Sequence, residues 1–270
     1  MSRLRFAVVG DNCVDRFLPP VGQSLVGGNA INVAVQLALM GHETYYFGAV
    51  GLDADGARVR DLLVRNGVRI DHLRMAAGTT AYTNIELTAS GDRIFAFEDF
   101  GVCQDYRPSG EEMSVLATMD HVHLGWIVDG GHVRQALAAQ GVGLSQDISV
   151  NNDKAHLGVA GLGVAFGSAG EDRAQAEALA LDLLAQGAGM AVVTRGGEGS
   201  LATDGRIWAH AGIAPVEVVD TTGAGDSFIA GFLDARLRGR DLTACLERGR
   251  DCAAVTCGHI GGFPQDPAPL

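Results

Sequence analysis

Val216-Glu217-Val218-Val219-Asp220-Thr221-Thr222-Gly223-Ala224-Gly225-Asp226-Ser227-Phe228 is the stretch on which the reading of this chain turns. The β-branched residues at its start predict a strand over Val216–Val219. Small residues follow, and then Phe228, Ile229, Phe232, Leu233 and Leu237 recur at helical spacing up to Gly239. A tight turn that feeds a helix aims backbone N–H groups and the positive end of the helix at an anion. A carboxylate beside an anion site is electrostatically unfavourable, so its presence points to a task, and Asp226 has one available. It can accept the proton of a hydroxyl that attacks phosphorus, with Gly223, Ala224 and Gly225 as the candidate anion hole for the phosphoryl oxygens.

Three other uses of such a turn fit less well. A dinucleotide fingerprint needs a third Gly or Ala where Phe228 stands, and a following strand that bears the ribose acid, whereas only helices follow here. A Gly-Lys-Ser/Thr phosphate loop and a protein-kinase lobe each need a lysine. The single lysine, Lys154, sits in Asn151-Asn152-Asp153-Lys154 and follows no glycine-rich turn. A purely structural turn with a capping Asp accounts for Gly-x-Gly alone, but less well for carboxylates at both Asp220 and Asp226.

The thirteen residues Asp220-Thr221-Thr222-Gly223-Ala224-Gly225-Asp226-Ser227-Phe228-x-Ala230-Gly231-Phe232 resemble the carboxy-terminal signature of the ribokinase-like carbohydrate kinases, also called the phosphofructokinase B family. Further features of that family occur in order along almost the whole chain. Gly10 to Asp15 is similar to the end of its first strand, where a sugar-binding aspartate stands at the position of Asp15. Gly27-Gly28-Asn29-Ala30-Ile31-Asn32 is similar to its first glycine signature, which makes Gly28, Asn29 and Asn32 sugar-binding candidates. Thr194-Arg195-Gly196-Gly197-Glu198-Gly199 is similar to its nucleotide-site turn, with Thr194, Gly196 and Gly199 as the nucleotide candidates.

The resemblance implies an α/β fold, a ribokinase-like three-layer sandwich with a central, mostly parallel sheet and a small β lid. One domain would span residues 1–270, with lid segments roughly at 16–26 and 79–100. It implies ATP-dependent phosphorylation of a sugar hydroxyl, Mg2+ brought in with ATP, and a monovalent cation, K+, beside Asp220 and Thr222. The family carries Asn-x-x-Glu near the metal and phosphates. Here the matching stretch is Ser168-Ala169-Gly170-Glu171, so Glu171 alone is left as the magnesium candidate.

The matched residues also make sense by their own chemistry. Two glycines before a helix let the backbone approach a sugar, and Asn29 and Asn32, three apart, present both amides from one helical turn. Asp15 offers one carboxylate to two adjacent hydroxyls. Taken alone, Asn32 also has a less favoured reading as a polar residue satisfied in the core, and Gly196 and Gly199 are equally hairpin glycines.

Outward from these motifs, Leu4–Val9 and Tyr45–Val50 predict strands, and Asn29–Met40 and Ala57–Asn66 predict helices, the βα alternation of an α/β sheet. The rhythm breaks at Ala81–Thr88 and Arg93–Asp99, β-rich segments around the hairpin turn Ala89-Ser90-Gly91-Asp92, which suit an appendage or lid. It resumes with His121–Ile127, a helix around Val133–Ala139, Val142–Ile148 and a helix around Ala174–Gln186. Short strands are then expected at Met190–Thr194, Ser200–Thr203 and Arg206–Ala209, with Asp204-Gly205 as a hairpin turn. A last helix follows a cap at Asp241. Gly161-Leu162-Gly163 reads as a bend.

Composition narrows the partners. The net charge of -12 argues against nucleic acid and anionic membrane surfaces as partners, leaving an anionic nucleotide to be held by local donors. The run Phe6-Ala7-Val8-Val9 is too short for a signal peptide and no span of about 18 apolar residues occurs. The odd number of cysteines, 5, with no Cys-x-x-Cys, suits reduced thiols in a cytoplasm. His121 and His123 share one strand face without a third ligand, a pattern of pocket or surface rather than of metal, and Cys13 reads as a small buried filler.

Within the family, Gly10-Asp11-Asn12-Cys13-Val14-Asp15 and the Val122-His123 pair with Trp126 nearby look most like members that phosphorylate the 6-hydroxyl of a fructose joined to an amine, a fructosamine. Such a substrate needs extra acceptors, and Asp11, Glu86, Glu98 and Asp99 are available for it. The alternatives are a kinase for a plain sugar (fructose, ribose) or a nucleoside, and a non-catalytic module that binds sugar and ATP, against which the intact Asp226 argues. An exposed lid edge suits a homodimer.

Overall fold

The alternation of Phe6 and Val8 with Ala7 and Val9 sets the layering, because each pair buries on opposite faces of one strand in two separate apolar cores. In the computed structural model, described over residues 3–87, 93–150 and 153–270, the chain begins β1 (Arg5–Val9), β2 (Cys13–Phe17), β3 (Gln23–Gly27), α1 (Asn29–Leu39), β4 (Glu43–Gly51) and α2 (Ala54–Arg65). Next come β5 (Arg69–Ala76), β6 (Tyr82–Leu87), β7 (Arg93–Asp99), α3 (Gly110–Leu116), β8 (His121–Leu124), α4 (His132–Ala138) and β9 (Leu144–Asp147). The last part is β10 (Val164–Ser168), α5 (Arg173–Ala185), β11 (Ala191–Thr194), β12 (Ser200–Thr203), β13 (Trp208–Ala211), α6 (Ala224–Leu237), α7 (Leu242–Cys257) and β14 (Ala268–Pro269).

Nine strands form one sheet in the order β13-β12-β11-β10-β9-β8-β1-β4-β5. Every neighbour from β11 to β5 is parallel, and β12 and β13 add an antiparallel edge. One core packs α1, α2, α6 and α7 on one face, and the other packs α3, α4 and α5 on the opposite face, which completes three layers. A second sheet, β14-β3-β2-β6-β7, stands apart from the first. The carboxy ends of β1, β8 and β9 meet the amino ends of α1 and α6, the place where ligands bind in parallel α/β sheets.

Several boundaries differ from expectation. Val216–Val219 is not a strand: Val216, Val218 and Val219 are exposed, and the segment runs free of any ladder, fixed instead by the Val219 N–H donating to the Cys257 carbonyl at 2.8 Å. The β-branched composition is right for a strand, but no neighbour is there to pair with it. The strand expected at Arg206–Ala209 lies at β13 instead, because Asp204 Oδ1 accepts the N–H groups of both Arg206 and Ile207 and lengthens the turn. Strands β2, β5 and β10 and helix α3 were not expected, and β3 was expected only as part of the lid segment near 16–26. The small sheet uses Cys13–Phe17 and the carboxy-terminal Ala268–Pro269 as well as the expected segments. The hairpin turn Ala89–Asp92 lies outside the described residues. Among the described residues, no helix is long and apolar enough to cross a membrane.

Candidate active site

Helix α6 begins at Ala224 because Gly223, with φ +73, occupies the left-handed region that turns the chain into the helix. A Cβ there would also lie 2.3 Å from the Gly262 Cα, so the turn is pressed against the carboxy-terminal loop. The first-turn N–H groups of Gly225 and Asp226 have no intrahelical carbonyl to reach, and a Cβ on Gly225 would meet only open space. Donors and room for a ligand therefore coincide at this end of α6.

The Asp226 carboxylate stands in the first turn and takes one amide on each oxygen. Asn29 Nδ2 donates to Oδ1 at 2.6 Å and Asn32 Nδ2 to Oδ2 at 2.7 Å. The two asparagines share a face of α1, as their spacing of three predicts, and both donate to Asp226. Their Oδ1 atoms are buried and have no partner among the described residues. Asn29 Nδ2 also donates to Asp147 Oδ2 at 3.0 Å, while Asp147 Oδ1 accepts from the Ser149 N–H and hydroxyl. One amide is thus shared by two carboxylates. Burial pushes the Asp226 carboxyl up to about 7; the nearby Asp147 and Asp11 charges push the same way, against the Asn32 and Asn29 amides. Asp147 was missed in the sequence, although an acid that ends a buried strand beside a parallel-sheet switch point is the available signal.

Asp11 follows β1 and acts as a cap for α1 from outside the helix. Its oxygens accept the N–H groups of Asn29 (2.7 Å), Ala30 (3.3 Å) and Trp126 (3.0 Å). Its pKa lies above the usual carboxylate range because burial outweighs these bonds. Gly28, at φ +102, lets the chain pass it: a Cβ would meet the Asn12 Cα at 2.8 Å and Asp11 Oδ2 at 2.9 Å. Asp15 lies on β2 in register with Thr83 of β6, and the Cys13 thiol reaches Asp15 Oδ1 at 3.6 Å and the Thr83 hydroxyl at 3.2 Å. A Cβ on Gly27 would be 3.5 Å from Asp15 Oδ2 and 3.9 Å from Asn32 Nδ2, so the inner face of the small sheet looks onto the Asn32–Asp226 pair.

On the other side of Asp226 a cavity of about 550 Å3 runs to β11 and α7. Ala224, Gly225 and Asp226 line it together with Thr194, Gly196 and Gly199, so the structure brings these two expected groups into one cleft. Gly199, at φ +87, lets β12 return against Ala211, whose carbonyl would lie 2.1 Å from a Cβ. Val216, Val218, Ile213, Phe228, Ala253 and Ala254 give the cleft an apolar wall, and Asp147 and Arg250 also line it. Glu171 is not brought into this lining. It is exposed on the loop before α5, where its carbonyl accepts from Arg195 Nη2.

Asp220 is buried and fastens the turn: Oδ1 accepts the Thr222 N–H and hydroxyl, and Oδ2 accepts the Gly261 N–H at 2.9 Å. No group of three His, Cys, Asp or Glu among the described residues is disposed to hold a metal. His121 and His123 are buried and both reach the Ser145 hydroxyl, at 2.8 and 2.9 Å. Burial pushes them down to about 4 and about 3, so both are neutral near pH 7.

Comparison with known proteins gives a concordant result. The family model described as pfkB family carbohydrate kinase matches residues 19–131 and 160–268. The chain is 37% identical over 263 residues to the fructoselysine 6-kinase of Escherichia coli K12, covering 95% of this chain and 98% of that protein. It is 34% identical over 265 residues to a fructosamine kinase of Bacillus subtilis, covering 96% and 93% of the two chains. Among solved structures, the Arabidopsis thaliana ribokinase complexed with ribose and ATP superposes with a TM-score of 0.86 at 23% identity, over 96% of this chain and 94% of that one.

Proposed function

The chain belongs to the pfkB family of carbohydrate kinases and is an ATP-dependent sugar kinase, and on that footing we propose that it phosphorylates the 6-hydroxyl of a fructosamine. The observation that supports the chemistry best is the Asp226 carboxylate, held by two amides where a helix amino terminus meets a nucleotide-sized cavity. ATP lies along that cavity, with its base against the apolar wall and its phosphates towards Gly223, Ala224 and Gly225; Thr194, Gly196 and Gly199 shape the passage. The sugar lies on the other side of Asp226, against Asp15, Gly28, Asn29 and Asn32, and the small sheet closes over it as a lid.

Asp226, poised near neutrality, takes the proton of the 6-hydroxyl as its oxygen bonds to the γ-phosphorus and the bond to the ADP oxygen breaks. The N–H groups at the start of α6 offset charge on the transferring oxygens. Asp11 holds α1 in place and thereby the two asparagines that grip Asp226. Magnesium would arrive with ATP and offset the charge of its phosphates; Glu171 remains the acid that the family resemblance offers for it, although it lies outside the cleft lining. A monovalent cation beside Asp220 and Thr222 would brace the turn. The edge strand β7, with Ile94, Phe95 and Phe97 exposed, suits pairing with a second copy, and reduced thiols suit a cytoplasmic setting.

The test is ADP release over fructoselysine, fructose, ribose and adenosine at equal salt. A higher kcat/KM for fructoselysine than for every other acceptor supports the reading, and a ratio to fructose at or below one removes the fructosamine while leaving the sugar kinase.

A further inference from the structure

A fructosamine differs from fructose by an ammonium at C1, at the end of the sugar remote from the 6-hydroxyl. Four acids were open to meet that charge, and the structure disposes of three. Asp11 spends its oxygens on the N–H groups of Asn29, Ala30 and Trp126. Asp99 Oδ1 accepts the Gly101 N–H at 2.8 Å, which ties it to the turn after β7. On β6, Thr83 and Ile85 are buried on one face, so by strand alternation Glu86 points to the opposite face; Glu98 is exposed as well, so the face and not the exposure separates the two.

Glu98 is left, and its register is the one required. Asp15 pairs with Thr83, and Thr83 pairs with Glu98, so the three side chains stand in one row on the inner face across β2, β6 and β7. Thr83 hydrogen-bonds the Glu98 carboxylate, and Glu98 is close enough to Asp11 for that charge to be felt. Two strand spacings separate Asp15 from Glu98, roughly 10 Å. With the 6-hydroxyl at Asp226 and the ring hydroxyls at Asp15, the C1 substituent is directed along this row, away from the phosphates.

We propose that Glu98 is the specificity residue of this kinase, its carboxylate pairing with the substrate ammonium at C1 while Thr83 fixes its orientation. The inference rests on the fructosamine reading above and goes beyond it in naming the contact. The surrounding side chains suit the role: Asp11 and Asp15 are also acidic, and exposed Phe95, in register with Ile85 and Phe17 on the same face, offers apolar surface to the chain carried by the amine.

The experiment measures kcat/KM for fructoselysine, for the form acetylated on the nitrogen joined to C1, which then carries no charge, and for fructose, with the wild-type enzyme, Glu98→Gln and Glu98→Asp. In the wild type, acetylation should cost about ten- to hundred-fold, the range of a charge-assisted hydrogen bond. Glu98→Gln should lower the fructoselysine-to-fructose ratio by about the same factor and make the enzyme indifferent to acetylation, and Glu98→Asp should restore part of the ratio. A Gln variant that keeps the wild-type ratio, or loses both substrates equally, overturns the assignment of Glu98 alone. A wild-type enzyme that favours fructose overturns both this inference and the fructosamine reading.

Discussion

At Asp226 the electrostatics bear directly on the proposed chemistry. A folded-state pKa of about 7 against 3.8 in an unfolded chain means that the folded protein holds the proton more tightly. The stability contributed by this group is therefore complete below about pH 3.8 and is lost as pH rises through about 7. In the proposed mechanism catalysis runs the other way, since the base acts only when ionised. We predict that kcat/KM rises with pH through a midpoint near 7, and that Asp226→Asn cuts turnover by about 10²-fold or more. The same variant should gain thermal stability over the parent increasingly between pH 4 and 7. Turnover within a few-fold of the parent, read by ADP release, would take Asp226 out of the mechanism. Asp147 supplies a companion prediction: Asp147→Asn removes a like charge that shares the Asn29 amide, so the acid limb should move to lower pH. It should stop well short of 3.8, because burial is the larger cause. A pH–rate profile superimposable on the parent's would show that the shared amide does not couple the two carboxylates. The turn that carries Asp226 stood out in the sequence because it is local. Asp147 was not, because its meaning depends on β9 arriving beside α1 and α6 from distant parts of the chain.

At the scale of elements, local pattern identified what one strand or helix can declare by itself. The run Leu4–Val9 and the Phe228-to-Leu237 stripe became β1 and α6 within a residue or a few. Cys13-Val14-Asp15-Arg16-Phe17 concealed β2, whose inner face carries polar groups for the site rather than an apolar stripe. The opposite error at Val216–Val219 has a functional consequence. Val216 and Val218 keep 40% and 59% of their surface exposed while lining the cavity, an arrangement that makes sense if a nucleotide base covers them. We expect Val218→Asp to raise the KM for ATP by about tenfold, the effect of losing roughly 1–2 kcal/mol of apolar contact and placing a negative charge near a triphosphate. The KM for the sugar, measured at saturating ATP, should change far less. Equal changes in both constants would mean that the segment supports the whole fold rather than the nucleotide wall.

Across the whole molecule, the proposed arrangement sets the nucleotide against the large sheet and the sugar under the small one, with the Asn29, Asn32 and Asp226 contacts between α1 and α6 at the junction. A net charge of -12 surrounds this arrangement with a negative field that repels ATP and draws in cations. The repulsion is overcome locally by oriented N–H groups, whereas the attraction acts over distance and is screened within about 10 Å at 0.1 M salt. The two substrates proposed and compared above differ in charge, so salt separates the field from the direct contact. At saturating ATP, raising ionic strength from about 0.02 to about 0.3 M should lower kcat/KM for fructoselysine several-fold and leave that for neutral fructose nearly unchanged. The preference for the charged substrate should shrink but persist at high salt, because a carboxylate–ammonium pair in contact inside a closed site is screened less than the long-range field. Identical salt dependence for the two sugars would show that the acidic surface plays no part in capture. A preference abolished entirely by salt would mean that the field alone had produced it, with no contact at the lid.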